Sequence, residues 1–144
     1  MEHIKLLDKS RNYEVMDLWL RTTTKDNSFV EPDFWQTHYD LIKDQYINGN
    51  DIFAYMENDK ILAFVCVSDD NKIAGLFVDP AYQNIGIGKK LIDFLKSEYS
   101  LLHIEIYAKN RKALSFSTKS GFLIDGAKRH PYNNEVMYTM IWRE

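Results

Sequence analysis

Apolar residues in the first third of the chain recur at the spacing of a helix. Between residues 12 and 24, four of them follow helical spacing (i, i+3, i+6 and i+7) and so share one helix face: Tyr13, Met16, Trp19 and Leu20. Acidic residues come early in this stretch and an arginine comes late, which suits the helix dipole. A second helix is predicted from Pro32, a residue favoured in the first helical turn, to about Tyr46. A short strand over residues 3–7 precedes both.

From residue 51 the hydrophobic period changes to that of strands. Apolar runs at 52–56 and 61–67 flank an Asn-Asp-Lys turn, which predicts a hairpin. The next run, 73–78, is apolar throughout, which indicates a strand buried on both faces. Gly75 inside it indicates a bulge or a close backbone approach.

The second half of the chain alternates helices and strands and then closes on a hairpin. Helices are predicted over 86–98 and 111–120 on either side of a strand over 102–108. Two strands, over 122–128 and 135–142, follow. The predicted order is β-α-α-β-β-β-α-β-α-β-β, an α/β architecture (an α+β mixed sheet) in which helices cover the sheet.

Composition and charge narrow the class of protein. The chain has 144 residues, the size of one domain, and no linker or repeat divides it, so we expect residues 1–144 to form a single domain. A net charge of −3 argues against a dedicated nucleic-acid binder. The single cysteine, Cys66, cannot form an intramolecular disulfide and lies in an apolar run, so we interpret it as a buried strand residue.

Several partners and compartments are not expected. No Cys/His cluster has the spacing of zinc ligands, so no metal is predicted. The N-terminal residues lack the apolar region of a signal peptide, and no apolar stretch is long enough to span a membrane. We therefore expect a cytoplasmic protein, a monomer or homodimer, without membrane or nucleic-acid partners.

The stretch from residue 76 to residue 90 carries the most chemistry. A buried strand ends there, a short loop follows, and a helix begins with glycines in its first turn. The first N–H groups of a helix lack internal partners and lie at the positive end of its dipole, which favours a phosphate. Gly86 and Gly88 bring no Cβ between that backbone and an anion, and Lys89 and Lys90 add positive charge.

Two other interpretations of these glycines stay open from the residues alone. One is a tight strand-to-helix turn that needs glycine for packing. The other is a dinucleotide site of the Rossmann type. Against the second, only one strand–glycine–helix unit is present, and no third glycine follows at the required spacing in the loop.

Two motifs give the chain a family resemblance. Gln83-x-x-Gly86-x-Gly88 follows the strand end Leu-Phe-Val-Asp-Pro. A second set of residues comes later in the chain: Asn110, Ala113, Phe116, Gly121 and Phe122. Both motifs, in this order and with one strand between them, resemble those of the GCN5-related N-acetyltransferase (GNAT) superfamily, and the resemblance spans nearly the whole chain.

The resemblance implies the GNAT, or acyl-CoA N-acyltransferase, fold, in which the fourth and fifth strands splay apart and acetyl-CoA fills the gap. It implies a transferase that moves the acetyl group to a primary amine of a small molecule or protein by direct attack on the thioester. The loop would hold the pyrophosphate through backbone N–H groups, and the strand end would pair with the pantetheine arm. The implied cofactor-binding residues are Leu76, Phe77, Val78, Gln83, Asn84, Ile85, Gly86, Ile87, Gly88, Lys89, Asn110 and Phe116.

The chain departs from the family at the groups that usually move protons. Many relatives carry tyrosine as general acid where this chain has Ser117, a far weaker acid. The usual base near the start of the fourth strand is also missing, since residues 69–72 read Asp-Asp-Asn-Lys. A thiol with a pKa near about 8.5 can leave as thiolate. Ser117 is therefore either a hydrogen-bond donor to the sulfur or a bystander, and its weak acidity favours the bystander.

Candidates for the proton-transferring residues lie on the predicted fifth strand. Glu105 and Tyr107 are the first choices, with Asp70 and His103 behind them. Each also has a plain structural interpretation: Glu105 as a charge on the strand surface, favoured over a base, and Tyr107 as an amphipathic wall. His103 and His130 are expected at the surface.

The acceptor side is expected at the aromatic N-terminal helices, where Phe29 and Trp35 would line a pocket beside the break at Asn27-Ser28. These residues do not indicate which amine is acetylated. The alternative function is a CoA- or acyl-CoA-binding GNAT-fold module with little catalysis, which Ser117 and the missing base favour. A nucleic-acid modifier is disfavoured by the net charge.

Overall fold

The computed structural model describes residues 3–144, and over this range a mixed sheet has α-helices on both faces. The strands are β1 (Ile4–Leu6), β2 (Asp51–Glu57), β3 (Lys60–Val67), β4 (Lys72–Val78), β5 (Leu101–Tyr107), β6 (Leu123–Arg129) and β7 (Val136–Arg143). The helices are α1 (Asn12–Asp26), α2 (Pro32–Thr37), α3 (Tyr39–Ile47), α4 (Ile87–Glu98) and α5 (Arg111–Lys119). The predicted α/β class and mixed sheet are confirmed.

The sheet has the order β1-β2-β3-β4-β5-β7-β6. Every neighbouring pair is antiparallel except β4 and β5, which run parallel. Asn58 and Asp59 have positive φ angles in the β2–β3 turn, as a two-residue hairpin loop requires, which confirms that predicted hairpin.

The parallel pair opens soon after it begins. β4 and β5 pair only at Lys72 with His103 and at Ile73 with Ile104. Beyond these residues β4 continues to pair with β3, and β5 continues to pair with β7. The middle of the sheet therefore splays into two halves, and the facing edges of β4 and β5 have no strand between them.

A bulge lies where the splay begins. Val67 pairs with Ile73, whereas its neighbour Cys66 pairs with Gly75, so Ala74 is an extra residue in β4. A bulge bends a strand and increases its twist, which turns β4 away from β5. A Cβ on Gly75 would collide with the ring of Phe77. The sequence prediction of a bulge or close approach at Gly75 is thus confirmed, with the bulge one residue earlier.

Each face of the sheet has its own apolar core. Helices α4 and α5 cover one face, where Ile87, Leu91, Ile92 and Leu95 of α4 are buried. Helices α1 to α3 cover the other face around Trp19 and Phe64. Cys66 is fully buried in this second core, and burial raises the pKa of its thiol, so it is a packing residue as predicted.

Three expectations about local structure were wrong. The second predicted helix is divided at His38, whose ring stacks on Phe34 at 4.2 Å between ring centroids and whose φ and ψ of −101° and 10° separate α2 from α3. Tyr13, expected on the buried face of α1, is exposed. The strand over 73–78 is not buried on both faces along its whole length, because its unpaired edge leaves Leu76, Phe77 and Val78 half-buried.

Two further expectations concern membranes and metals. Within residues 3–144, no helix is both long and apolar enough to cross a bilayer. In the same range, no group of three or more His, Cys, Asp or Glu side chains could hold a metal ion.

Candidate active site

The splayed strands open a cavity of about 610 Å³. Its walls are the facing edges of β4 and β5, the C-terminal end of α1, parts of α2, α3 and α5, and the turn between β6 and β7. Among the residues predicted for the site, seven line it: Leu76, Phe77, Glu105, Tyr107, Asn110, Phe116 and Ser117. Two distant stretches of sequence, 76–77 and 105–117, therefore meet in one cavity.

The glycine loop lies beside this cavity, at the start of α4. Gly86 precedes the helix with a φ of +91°, a left-handed conformation that favours glycine. No side chain caps the helix, and its first internal hydrogen bond runs from the Lys90 N–H to the Gly86 carbonyl at 3.1 Å. The N–H groups of the first turn thus remain available to an anion.

Gly88 serves packing as well. A Cβ there would lie 3.3 Å from the ring of Phe116, so glycine lets the first turn of α4 approach α5 closely. The packing interpretation left open by the sequence therefore holds at Gly88. Since Phe116 also lines the cavity, its ring connects the glycine turn to the gap between the strands.

The charges around the loop are partly compensated. Lys89 forms an ion pair with Asp93 one turn later, at 2.6 Å, and Lys90 lies over the ring of Tyr55. Asn84, with a φ of +65°, and Ile85 are exposed at the loop tip. The positive potential at this loop therefore comes chiefly from the N-terminus of α4. Lys89 and Lys90 contribute less to it than the sequence predicts.

Gln83 joins the loop to both sides of the splay. Its Nε2 donates to the Val78 carbonyl at 3.0 Å, and its Oε1 accepts from the Lys112 Nζ at 2.9 Å. Val78 ends β4 and Lys112 lies in the first turn of α5. The side chain of Gln83 therefore braces the loop between the two elements that flank the cavity.

Asn110 uses its side chain for two contacts within the protein. Its Oδ1 accepts from the Ala113 N–H at 3.1 Å and so caps α5, and its Nδ2 donates to the Asn27 Oδ1 at 3.0 Å. Asn27 is the buried residue that follows α1. The predicted role of Asn110 in binding the cofactor stays a prediction, and the structure adds a bracing role that sequence reasoning missed.

Glu105 lies in the cavity wall between two lysines. It forms ion pairs with Lys72 and Lys128, and its side chain is 17% exposed. Burial alone would raise the pKa of Glu105, but the hydrogen bonds and charges of Lys128 and Lys72 outweigh burial and hold this pKa below its usual range. A carboxylate so held is a weak base. The alternative of a simple surface charge does not fit its burial.

Tyr107 is a buried wall of the same cavity. Its hydroxyl accepts a hydrogen bond from the Asn133 Nδ2 at 2.7 Å, and its ring contacts Phe29 edge-on at 5.3 Å between centroids. Burial raises the pKa of Tyr107, which the hydrogen bond from Asn133 partly offsets. Tyr107 is thus a weaker acid than an exposed tyrosine, which favours its interpretation as a wall.

Ser117 faces the cavity from α5 and is 3% exposed. Its hydroxyl therefore belongs to a side chain from which a ligand atom bound in the cavity could accept a hydrogen bond.

His130 was expected at the surface, and this expectation is wrong. The β6–β7 turn folds back over the sheet, so the imidazole is half-buried in the cavity wall, 5.7 Å from the Tyr107 ring between centroids. Its Nδ1 accepts from the Tyr132 N–H at 3.2 Å, and burial lowers the pKa of His130. No local sequence signal indicates this, because it depends on the fold of the turn.

The other candidates are more widely spread. Asp70 lies at the exposed mouth of the cavity, hydrogen-bonded to Ser68. His103 pairs with Lys72 where β4 and β5 are still joined, outside the cavity lining that the described residues form. Trp35 lines the cavity as expected, whereas Phe29 packs behind Tyr107.

Comparison with known proteins decides the family. The family described as "Acetyltransferase (GNAT) domain" matches residues 23–139. The chain belongs to the GNAT acetyltransferases. It is 30% identical over 121 residues to the peptidyl-lysine N-acetyltransferase YiaC of Escherichia coli (strain K12), covering 84% of this chain and 83% of that protein.

Solved structures share the fold of this GNAT acetyltransferase. The apo form of YjaB from Escherichia coli matches with a TM-score of 0.84 at 18% identity, covering 96% of this chain and 95% of that one. The PaiA N-acetyltransferase of Thermoplasma acidophilum, solved in complex with coenzyme A, matches with a TM-score of 0.76 at 14% identity, covering 98% of each chain.

These findings settle the reaction at the level of the family. The protein is an N-acetyltransferase, and acetyl-CoA is its co-substrate. The residues present fit that molecule: an uncapped helix start with a left-handed glycine lies beside a cavity bordered by an unpaired strand edge. The alternative of a binding module with little catalysis loses support, because the curated relative is named as an enzyme.

Proposed function

We propose that the acyl-thioester arm of acetyl-CoA lies along the unpaired edge of β4 and that its pyrophosphate binds the first turn of α4. The observation that carries this proposal is the splay: β4 and β5 part after Ile73 and Ile104, and the cavity fills the space between them. Leu76, Phe77 and Val78 offer backbone groups to the arm, and residues 83–89 offer N–H groups to the phosphates. Phe116 packs between the two regions.

We propose that the acceptor is the side-chain amine of a lysine in a protein or peptide. The relatives YiaC and YjaB are named peptidyl-lysine N-acetyltransferases, which supports this class over a free small amine. The cavity supports it too, because its wall on the acceptor side combines a carboxylate, Glu105, with the aromatic rings of Trp35, Tyr107 and Tyr132. A carboxylate attracts an ammonium group, and aromatic rings pack along an alkyl chain.

For the reaction itself we propose direct attack of the neutral amine on the thioester. An alkyl amine with a pKa near about 10.4 is mostly protonated at pH 7, so a proton must leave it before attack. Glu105 orients the amine and passes this proton to solvent. It does not stay protonated, because its two lysine partners keep its pKa low. Tyr107 shapes the wall, and Ser117, which lines the same cavity, donates a hydrogen bond to the leaving sulfur in this proposal.

The activity is tested by following free thiol release with acetyl-CoA and a panel of acceptors. Lysine-containing peptides, the same peptides with a blocked Nζ, free lysine and polyamines are compared at equal amine concentration. We expect the highest kcat/KM with the unblocked peptides and no product from the blocked ones. Faster turnover of a polyamine than of every peptide would overturn the proposed acceptor class while leaving the N-acetyltransferase in place.

Further expectations from the sequence stay proposals. We propose a single domain over residues 1–144, a monomer or homodimer in the cytoplasm, without metal, membrane or nucleic-acid partners. Size-exclusion chromatography with light scattering tests the oligomeric state. Activity in the presence of a chelator tests the independence from metal.

A further inference from the structure

The cavity contains two amines that belong to the protein itself. Lys72 on β4 and Lys128 on β6 both form ion pairs with Glu105 on β5, and all three side chains line the cavity. An enzyme that acetylates amines thus holds its own lysines beside the proposed path of the thioester. We propose that Lys128 is a self-acetylation site, with its Nζ taking the acetyl group from acetyl-CoA bound to the same chain. This inference rests on the proposed position of acetyl-CoA between β4 and β5.

Lys128 is better placed than Lys72 to react. Lys72 lies where β4 and β5 are still paired, at the closed end of the splay, and its side chain is 40% exposed. Lys128 lies on the edge strand β6, away from that pairing, and its side chain is 50% exposed. A lysine held by one carboxylate and open to solvent leaves its partner at little cost, because solvent-exposed ion pairs contribute little to stability.

The strand register turns Lys128 toward the cavity. Lys128 pairs with Met137 on β7, and Met137 pairs with Tyr107 on β5. Directly paired residues point to the same face of a sheet, so Lys128 shares the face of Tyr107 and Glu105. This is the face against which Trp35 and the helices α1 to α3 pack.

The chemistry balances without any further reactant. The ammonium group of Lys128 gives one proton to the Glu105 carboxylate, which relays it to solvent. The neutral Nζ then forms a bond to the thioester carbonyl carbon, and the carbon–sulfur bond breaks with its electron pair leaving on the sulfur. The second proton lost by the nitrogen ends on that thiolate or in solvent. The products are N-acetyl-lysine at position 128 and free CoA.

Acetylation of Lys128 would change the cavity. The modification removes a positive charge, so Glu105 would keep Lys72 as its cation and offer a free carboxylate oxygen. A carboxylate with one cation attracts the ammonium group of an acceptor more strongly than a carboxylate with two. Self-acetylation would therefore lower the KM for a cationic acceptor, which makes the modification regulatory.

The test is incubation of the purified protein with acetyl-CoA in the absence of any acceptor. Intact mass and peptide mapping follow the modification at several protein concentrations. We expect one acetyl group per chain, located at Lys128, with a first-order rate that does not depend on protein concentration. Lys128→Arg keeps the positive charge and should abolish the modification. The matched control is Lys119→Arg, at an exposed lysine of α5 outside the cavity lining.

Several results would overturn the inference. They are acetylation at Lys72 instead, similar acetylation of many exposed lysines, a rate proportional to protein concentration, or no modification while a lysine peptide is acetylated. In the last case the proposed function stands and the inference alone fails. If calorimetry detects no acetyl-CoA binding and no peptide is acetylated, both fail. Peptide mapping of the protein without substitutions locates the acetylated lysine even if a variant folds poorly.

Discussion

Asn110 donates its side-chain amide to the Oδ1 of Asn27 at 3.0 Å, although 83 residues separate them in the sequence. Asn27 ends the helix that packs on β4, and Asn110 begins the helix that follows β5. Their hydrogen bond therefore ties together the two halves of the sheet at the open end of the splay, where no strand pairing joins them.

We expect Asn27→Ala to lower the free energy of unfolding by about 1 kcal/mol, the net value of a hydrogen bond between neutral groups. Asn110→Ala should cost about 2 kcal/mol, because it also removes the cap of α5. Chemical denaturation measures both. Asn27→Asp keeps the accepting oxygen and should restore most of the loss. If the single losses simply add in the double variant, the bridge contributes nothing.

The sequence predicts the helices and strands better than the contacts between residues that are distant in the chain. Hydrophobic periods give strands and helices close to those observed, because each period reports which face of an element is buried. The break at His38 was missed, since it depends on a ring stacked on Phe34. The pairing of Asn27 with Asn110 was missed too, because it depends on the splay of β4 from β5, and no residue alone encodes that opening.

In the candidate site, too, the local features were predictable and the contacts between distant residues were not. The glycine loop was predictable because a motif of neighbouring residues forms it. The position of His130 was not, because a turn carries it back across the sheet. Two lysines that are 56 residues apart in the sequence, Lys72 and Lys128, form ion pairs with Glu105. Only the order of the strands in the sheet brings both lysines to this one carboxylate.

The phosphate site is tested by Gly86→Glu. A carboxylate at the start of α4 would repel a phosphate a few ångströms away, and we expect acetyl-CoA to bind with a Kd roughly thirtyfold higher, about 2 kcal/mol. Isothermal titration calorimetry measures the change. Gly49→Glu is the matched control, because Gly49 also has a positive φ, +75°, and open space around its Cβ position. If acetyl-CoA binding weakens equally in both variants, backbone strain causes the loss. The phosphates would then bind elsewhere.

The ion pairs of Glu105 predict a pH dependence of stability. The pKa of Glu105 is below its usual range in the folded protein. A carboxylate of this kind stabilises the fold above its unfolded pKa, near about 4.3, and loses that contribution as the pH falls through the folded value. We therefore expect Glu105→Gln to be less stable than the unmodified protein at pH 7, by about 1 kcal/mol, and the difference to shrink below about pH 4.

Thermal unfolding between neutral and acidic pH measures this difference. Glu98→Gln, at an exposed residue at the end of α4, is the control and should follow the unmodified protein throughout. Parallel curves for Glu105→Gln and the unmodified protein at every pH would show that the lysines do not stabilise the carboxylate.

The family resemblance implies that Ser117 takes the position of the tyrosine that acts as general acid in many relatives, and the weak acidity of serine favours a bystander. The position of Ser117 in the cavity wall favours a hydrogen bond to the leaving sulfur instead. Ser117 is buried and lines the cavity. A hydroxyl there can donate a hydrogen bond to the leaving sulfur, and a neutral hydrogen bond contributes about 0.5–1.5 kcal/mol, so Ser117→Ala should lower kcat roughly 2- to 12-fold.

The comparison that isolates this effect is with Ser115→Ala. Ser115 lies on the exposed face of the same helix, so the same atoms are removed from α5 without touching the cavity. We expect its kcat, KM and Tm to stay unchanged, and we expect Ser117→Ala to lose kcat while its Kd for acetyl-CoA stays the same. A loss in Kd with an unchanged kcat would make Ser117 part of the binding wall. Identical kinetics in both variants would mean that the thiolate leaves unaided, because a hydroxyl that contacts the sulfur in the transition state cannot be removed without raising the barrier.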